Sequence, residues 1–144
     1  MLIGVIDGMG GGIGKAIVER LRADGKARKI LALGTNAIAT AAMYKAGADH
    51  AATGENAIIV NCRRADVIIG TVGIVLANSM LGEISPCIAE AVSSSDAVKI
   101  LIPSSKCNVF IAGHHDQPIA KYIEDIPNIL SNIQSKLEDS QIDD

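Results

Sequence analysis

A glycine-rich stretch directly after an apolar segment is the feature that most constrains the fold of this chain. Residues 2–6 are apolar, Asp7 follows them, and glycine fills five of the seven positions from 8 to 14. An unbroken apolar run is typical of a strand that is buried on both faces of a parallel sheet. From residue 13 to about residue 24, apolar and charged side chains alternate at helical spacing. The glycines are therefore predicted to form the turn of a β-α unit.

The remainder of the chain repeats this alternation. Apolar segments at residues 29–33, 50–52, 67–70 and 98–102 predict further strands, with helical patterns between most of them. We therefore predict an α/β fold: a Rossmann-like three-layer α/β/α sandwich whose mostly parallel sheet has five to six strands. Residues 108–112 are the candidate for an antiparallel edge strand. Residues 118–137 predict a last helix, which Pro127 is expected to kink or divide.

The length of the chain limits the number of domains, and its apolar segments bear on membrane association. A chain of 144 residues suits one domain, which we predict over residues 1–137, with an acidic tail over 138–144. The sequence opens without a basic leader, and its longest apolar stretch, residues 67–81, is shorter than the roughly 20 residues that cross a bilayer. A cytoplasmic protein without membrane partners is expected.

Composition argues against nucleic-acid binding. The net charge is −3, and the chain has two Tyr, one Phe and no Trp, so it lacks both a basic footprint and rings on which bases stack. Cys62, Cys87 and Cys107 form no CxxC pair and are predicted to be reduced thiols. His114 and His115 are adjacent, so on an extended segment their side chains point in opposite directions, and no metal site is predicted.

The glycine-rich turn is the predicted ligand site. Glycines permit positive φ angles and close approach of a ligand, and the amides at the start of the following helix suit an anion such as phosphate. The alternative is that the glycines serve only a tight turn and close helix–strand packing. The residues predicted to hold the phosphate are Gly8, Gly10, Gly11, Gly12, Ile13 and Gly14.

The spacing of Gly8, Gly12 and Gly14 resembles the GxxxGxG turn of short-chain dehydrogenases. Those enzymes also carry a YxxxK pair, but neither Tyr44 nor Tyr122 is followed by lysine at that offset. The resemblance therefore implies a nucleotide-binding turn and does not extend to dehydrogenase catalysis.

Lys15 extends the glycines into a sequence that is similar to the GGxGK core of ParA-like and MinD-like ATPases. Ala16 stands where those proteins use Ser or Thr to bind magnesium, and Met9 stands where they have glycine. A P-loop NTPase is therefore a minor alternative. Lys15 is either a partner for phosphate or a solvated lysine of the helix.

Three further segments are predicted to meet the glycine turn at the same edge of the sheet. Gly34, Thr35 and Asn36 follow the second strand where an acidic residue would indicate NAD and a basic one NADP, so NAD, NADP or another nucleotide remains open. Thr35 and Asn36 either bond a ribose or cap the next helix. The other predicted cofactor-binding residues are Gly70, Thr71 and Asn78.

Three carboxylates are candidates for catalysis: Asp7, Glu55 and Glu83. Each is predicted near the crevice, where a carboxylate acts as an acid or a base. Asp7 at the end of the first strand is either a magnesium ligand or general base, or an acceptor for the amides of the turn. Glu55 and Glu83 are alternatively ordinary exposed loop residues.

Four motifs together resemble one small bacterial family, domain of unknown function 3842. They are the segments at residues 6–14, 33–37, 53–57 and 77–80. The resemblance implies a cytoplasmic Rossmann-like protein, and it supplies no activity or catalytic residues.

Three functions follow as hypotheses. The first is a nucleotide- or dinucleotide-binding protein that holds a phosphate at residues 8–14, with the nucleoside over residues 34–36 and 70–73. The second is an enzyme acting on a phosphorylated small molecule through one of the candidate carboxylates. The third is a non-catalytic homodimer, or other homo-oligomer, whose interface comprises residues 67–81 and the last helix.

Overall fold

Strands and helices alternate through nearly the whole chain. The structure, a computed structural model, describes residues 1–140. The strands are β1 Leu2–Asp7, β2 Lys29–Gly34, β3 His50–Thr53, β4 Val67–Thr71 and β5 Val98–Ile102. The helices are α1 Gly12–Ala23, α2 Ala37–Lys45, α3 Glu55–Cys62, α4 Pro86–Ser94 and α5 Ile119–Ser140. Short 3₁₀ turns cover Val72–Val75, Met80–Gly82 and Ser105–Cys107.

The five strands form one sheet in the order β3-β2-β1-β4-β5, and every neighbouring pair is parallel. β1 therefore lies between β2 and β4, and the chain leaves it first toward one edge of the sheet and later toward the other. Such a topological switch point opens a crevice at the carboxyl ends of the strands. The prediction of a Rossmann-like α/β fold is confirmed.

The apolar strands separate two hydrophobic cores, one on each face of the sheet. In β1, Ile3 and Val5 belong to one core while Ile6 belongs to the other, because successive side chains of a strand point to opposite faces. The first core contains side chains of α1, α2 and α5, and the second contains side chains of α3 and α4. This arrangement gives the three layers.

The predicted antiparallel edge strand at residues 108–112 is wrong. Ser105–Cys107 form a 3₁₀ turn, and Asn108 adopts a left-handed conformation with φ 53°. Phe110 is 86% exposed and Ile111 is also exposed, so this apolar segment has no sheet face to cover. The sheet of the described residues ends at β5.

Pro127 was expected to kink or divide the last helix. It does not divide it, because α5 is continuous through Pro127 and extends beyond residue 137. Proline removes one helical hydrogen bond, but the core contacts of Ile123, Ile126 and Leu130 hold both halves of α5 against the sheet. The predicted acidic tail falls partly within α5, and residues 141–144 lie outside the described residues. No helix within residues 1–140 is long and apolar enough to span a membrane.

Candidate functional site

The loop between β1 and α1 is organised by the carboxylate of Asp7. Its Oδ1 accepts a hydrogen bond from the Gly8 amide at 2.8 Å, and its Oδ2 accepts one from the Gly14 amide at 2.6 Å. The Gly11 amide donates to the Gly8 carbonyl at 2.9 Å, which closes the turn. The alternative in which Asp7 accepts turn amides is therefore what the structure contains. Its effect is to tie the first turn of α1 to the end of β1.

The fold itself requires some of the loop glycines. Gly11 has φ 73°, and a Cβ built on it would lie 2.6 Å from the Cα of Ala39. A Cβ on Gly14 would lie 2.6 Å from Sδ of Met43, and one on Gly8 would lie 2.6 Å from Oγ1 of Thr35. Close packing against α2 and the β2–α2 loop therefore accounts for these three glycines.

Gly10 and Gly12 have no such explanation. A Cβ on either residue would have no atom within 4 Å, and neither φ lies in the left-handed range. The amides of Gly10, Gly12 and Ile13 also donate to no acceptor within residues 1–140. The loop thus presents open backbone with unused donors, the arrangement that suits an anion.

A cleft of about 580 Å³ lies beside this loop. Its size falls within the roughly 300–1,000 Å³ of small-molecule sites. The lining comes from the β1–α1 loop, the end of β4, the turn at residues 80–81 and the segment after β5. The cleft therefore lies at the switch point, on the side of β4 and β5. Its lining residues are Asp7, Gly8, Met9, Gly10, Gly11, Gly12, Ile13, Thr71, Met80, Leu81, Ser104, Lys106 and Cys107.

In a comparison with protein-family models, the chain matches Domain of unknown function (DUF3842) over residues 2–135. The match covers most of the chain. This chain belongs to the DUF3842 family. No curated protein and no solved structure matched it. The family resemblance that the sequence motifs predicted is thus confirmed, and the site of this DUF3842 protein has to be interpreted from its own geometry.

Thr71 places a polar group in the wall of the cleft. The residue is only 5% exposed, and its hydroxyl makes no hydrogen bond with any of the described residues. Its oxygen is not one of the fully buried polar atoms that lack a partner among the described residues, so it is accessible from the cleft. The hydroxyl is therefore available to hydrogen-bond with a group in the cleft.

Burial and hydrogen bonding shift the pKa values of the two carboxylates in this region in opposite directions. Burial raises the pKa of Asp7, the hydrogen bonds from the Gly14 and Gly8 amides lower it, and the charge of Glu83 raises it. The pKa of Glu83 lies below its usual value, chiefly because of the hydrogen bond from Asn36. Burial therefore favours the protonated form of Asp7, whereas hydrogen bonding favours the ionised form of Glu83.

Glu83 connects three loops of this DUF3842 protein. Its Oε1 accepts hydrogen bonds from Oγ1 of Thr35 at 2.8 Å and from Nδ2 of Asn36 at 2.7 Å. Both of its carboxylate oxygens lie 3.1 Å from the amide of Met9. Asn36 also caps α2, since its Oδ1 accepts from the Ala39 amide at 2.9 Å. The side chains predicted to bond a ribose are thus engaged within the protein.

The other predicted site residues do not line the cleft. Gly34 and Gly70 are buried glycines, and a Cβ on them would lie 2.6 Å from the Thr40 amide and 2.8 Å from the Ile6 carbonyl, respectively. Asn78 is exposed and has φ 67°. The carboxylate of Glu55 accepts a hydrogen bond from Ser85. The structure therefore places Asp7, residues 8–13 and Thr71 around the cleft. The predicted site residues that lie outside its lining include Gly34, Glu55, Gly70 and Asn78.

Lys15 lies outside the cleft as well. Its Nζ is 3.8 Å from a carboxylate oxygen of Glu19, one helical turn along α1, and both side chains are more than half exposed. This contact is that of a solvated lysine on the helix surface. The geometry offers no support for a P-loop role.

The sequence interpretation missed several cleft residues. Ser104 and Lys106 follow β5 and received no functional prediction, and Cys107 was predicted only to be a reduced thiol. Because the carboxyl ends of all parallel strands meet at one edge, their position after a predicted strand was the available signal. No local signal marks Met80 and Leu81, which take left-handed φ angles of 55° and 56° beside the cleft.

Proposed function

We propose that this DUF3842 protein binds a nucleotide, a dinucleotide or another phosphorylated small molecule, with a phosphate at residues 10–13. Three features support this function. The cleft lies at the switch point, where Rossmann-like folds bind ligands. The Gly10, Gly12 and Ile13 amides have no acceptor within residues 1–140, and Lys106 in the lining contributes a positive charge.

The observation that carries the proposal is the open space at Gly10 and Gly12. Folding does not demand glycine at either position, because both have ordinary φ angles and no neighbour in the way of a Cβ. A ligand that contacts the backbone explains why side chains are absent from this particular surface.

The test is native mass spectrometry of freshly purified protein, followed by thermal unfolding with NAD, NADP, ATP, GTP and coenzyme A. We expect a copurified ligand or a rise in melting temperature with at least one of these compounds. Gly12→Val should abolish that rise, because its side chain would fill the ligand space while leaving the fold unstrained.

Ala23→Val is the matched control, since it adds two methyl groups at the exposed opposite end of α1. It should keep the ligand response of the parent protein. A Gly12→Val protein that still responds to the ligand would contradict binding at the glycine loop. An absence of ligand and of any thermal shift in the parent protein would contradict the function itself.

Catalysis on a phosphorylated small molecule is a second candidate, which Asp7 favours. It is the candidate carboxylate in the cleft lining, and burial raises its pKa toward the range of a general acid or base. An assay for release of phosphate or of a new product from the ligand identified above tests this candidate. Product formation that survives Asp7→Asn would rule out Asp7 as the acid or base.

A homo-oligomer remains our proposal for the assembly. Val67–Thr71 forms an inner, buried strand and is unavailable as an interface. The exposed apolar side chains of Phe110 and Ile111, outside the cleft, are the surface that an assembly would cover. Light scattering of the purified protein measures the mass, and a monomer would contradict this proposal.

A further inference from the structure

The cleft occupies only one side of the switch point. Resting on the proposed function, we infer that this cleft takes a compact phosphate monoester, of the class of mononucleotides and sugar phosphates. We also infer that Glu83 prevents a dinucleotide from extending over the end of β2. The inference depends on where the lining lies, on Glu83 at one side and on Thr71 and Lys106 at the other.

The lining is one-sided. Within residues 1–140, the side chains and backbone around the cleft come from the β1–α1 loop, β4, the turn at 80–81 and the segment after β5. Residues 34–36, at the end of β2, are not among them. A dinucleotide in a Rossmann fold spans the crevice on both sides of the switch point. This cleft offers room for one half of such a ligand.

Glu83 closes the other side. Its carboxylate accepts hydrogen bonds from the side chains of Thr35 and Asn36, the donors that a ribose would otherwise meet. These bonds and those from the Met9 amide also engage the two oxygens with which a carboxylate at this position would bind the ribose of NAD. Glu83 forms no ion pair with any residue in the described chain. An ionised carboxylate without a cationic partner repels a second phosphate placed beside it. The repulsion acts on the second phosphate of a dinucleotide, and it is strongest for NADP, which carries a third.

The open side matches a terminal phosphate. A phosphate monoester carries between one and two negative charges at pH 7 and has three strong acceptor oxygens. The three unused amides of the loop are donors for such oxygens, and the hydroxyl of the buried residue Thr71, which has no partner among the described residues, is a fourth. Lys106 adds a positive charge in the same cleft. Met80 and Leu81 supply an apolar wall for the organic part of the ester.

The experiment is isothermal titration calorimetry of the full chain with AMP, ribose 5-phosphate, adenosine and NAD at one ionic strength. We expect AMP or ribose 5-phosphate to bind at least about 10-fold more tightly than NAD, and adenosine not to bind. The AMP and ribose 5-phosphate arms distinguish a nucleotide from a sugar phosphate. NAD binding as tight as that of both esters would overturn the inference and leave the proposed function intact.

Binding of none of these probes, together with a negative result in the ligand screen above, would instead overturn the proposed function. Adenosine binding as tight as AMP would overturn the assignment of a phosphate subsite.

Variants on both sides of the cleft complete the test. Thr71→Val keeps the shape of the side chain and should weaken binding of the ester about 10-fold, and Lys106→Met should weaken it to a similar extent. Lys45→Met, an exposed lysine at the far end of α2, is the control and should leave binding unchanged. Unchanged ester binding in both cleft variants would overturn the assigned contacts.

Glu83→Gln removes the charge with little change in size. In a variant whose circular dichroism matches that of the parent protein, the ratio of the affinity for the monoester to the affinity for NAD should decrease. A preference that stays the same in this folded variant would overturn the role of Glu83. If the variant does not fold, the affinities of the parent chain for the esters and for NAD decide the inference.

Discussion

A Cβ added to Gly11 or Gly14 would overlap atoms of α2, whereas a Cβ added to Gly10 or Gly12, in the same short loop, would have no atom within 4 Å. The first pair is explained by packing against α2, and Gly11 also by its left-handed φ. The second pair is explained by neither. The comparison teaches that one glycine-rich motif combines two separate demands, a folding demand and a demand for an open backbone surface.

Gly11→Ala should give the largest effect. The new Cβ would lie 2.6 Å from the Cα of Ala39, and Gly11 has φ 73°, so both steric overlap and backbone strain act. We expect a loss of about 3 kcal/mol in the free energy of unfolding. Urea denaturation measures it. An unchanged midpoint would show that the loop relaxes freely and would remove the distinction between the two pairs.

Glu83→Gln should have a smaller effect on stability that depends on pH. Because the pKa of Glu83 is lower in the folded protein than its ordinary value of 4.5, the ionised side chain stabilises the fold above that pH. The contribution is lost as the pH falls through the folded-state pKa.

The variant should therefore be less stable than the parent by about 1 kcal/mol at pH 7, with the difference shrinking below pH 4.5. Denaturation curves at pH 7, 5 and 3.5 test this. A difference that grows on acidification would contradict the hydrogen bonds assigned to Glu83.

Gly10→Ala should change stability slightly and in the opposite direction to Gly11→Ala. The site has an ordinary φ and open space, so alanine mainly restricts the unfolded chain. A gain of about 0.5 kcal/mol is expected, measured by the same urea curves. A loss above about 1 kcal/mol would mean that folding requires glycine at position 10 as well.

Lys15→Ala should give the smallest effect. The pair with Glu19 is exposed on both sides, so the change in stability should be below about 0.5 kcal/mol. Ligand response in the thermal assay should equal that of the parent protein. A loss of that response would favour a phosphate role for Lys15 and the P-loop alternative.

Sequence patterns predicted the elements around the site because local physics determines them. Apolar runs that end in glycine marked each of the first two strands, and the spacing of Ile17, Val18 and Leu21 marked the buried face of α1. The predicted edge strand failed because Phe110 and Ile111 look the same in sequence whether they meet a sheet or face solvent. Only their surroundings in space distinguish these outcomes.

By itself, the sequence determined the fold class, the glycine loop after β1 and the position of Asp7 at the start of that loop. Tertiary structure decided which glycines face the cleft, that Glu83 engages Thr35 and Asn36, and that Thr71 and Lys106 line the same cleft. The physical reason is separation along the chain. Strand and helix patterns arise between residues a few positions apart, whereas the site is assembled where the ends of β1, β4 and β5 meet.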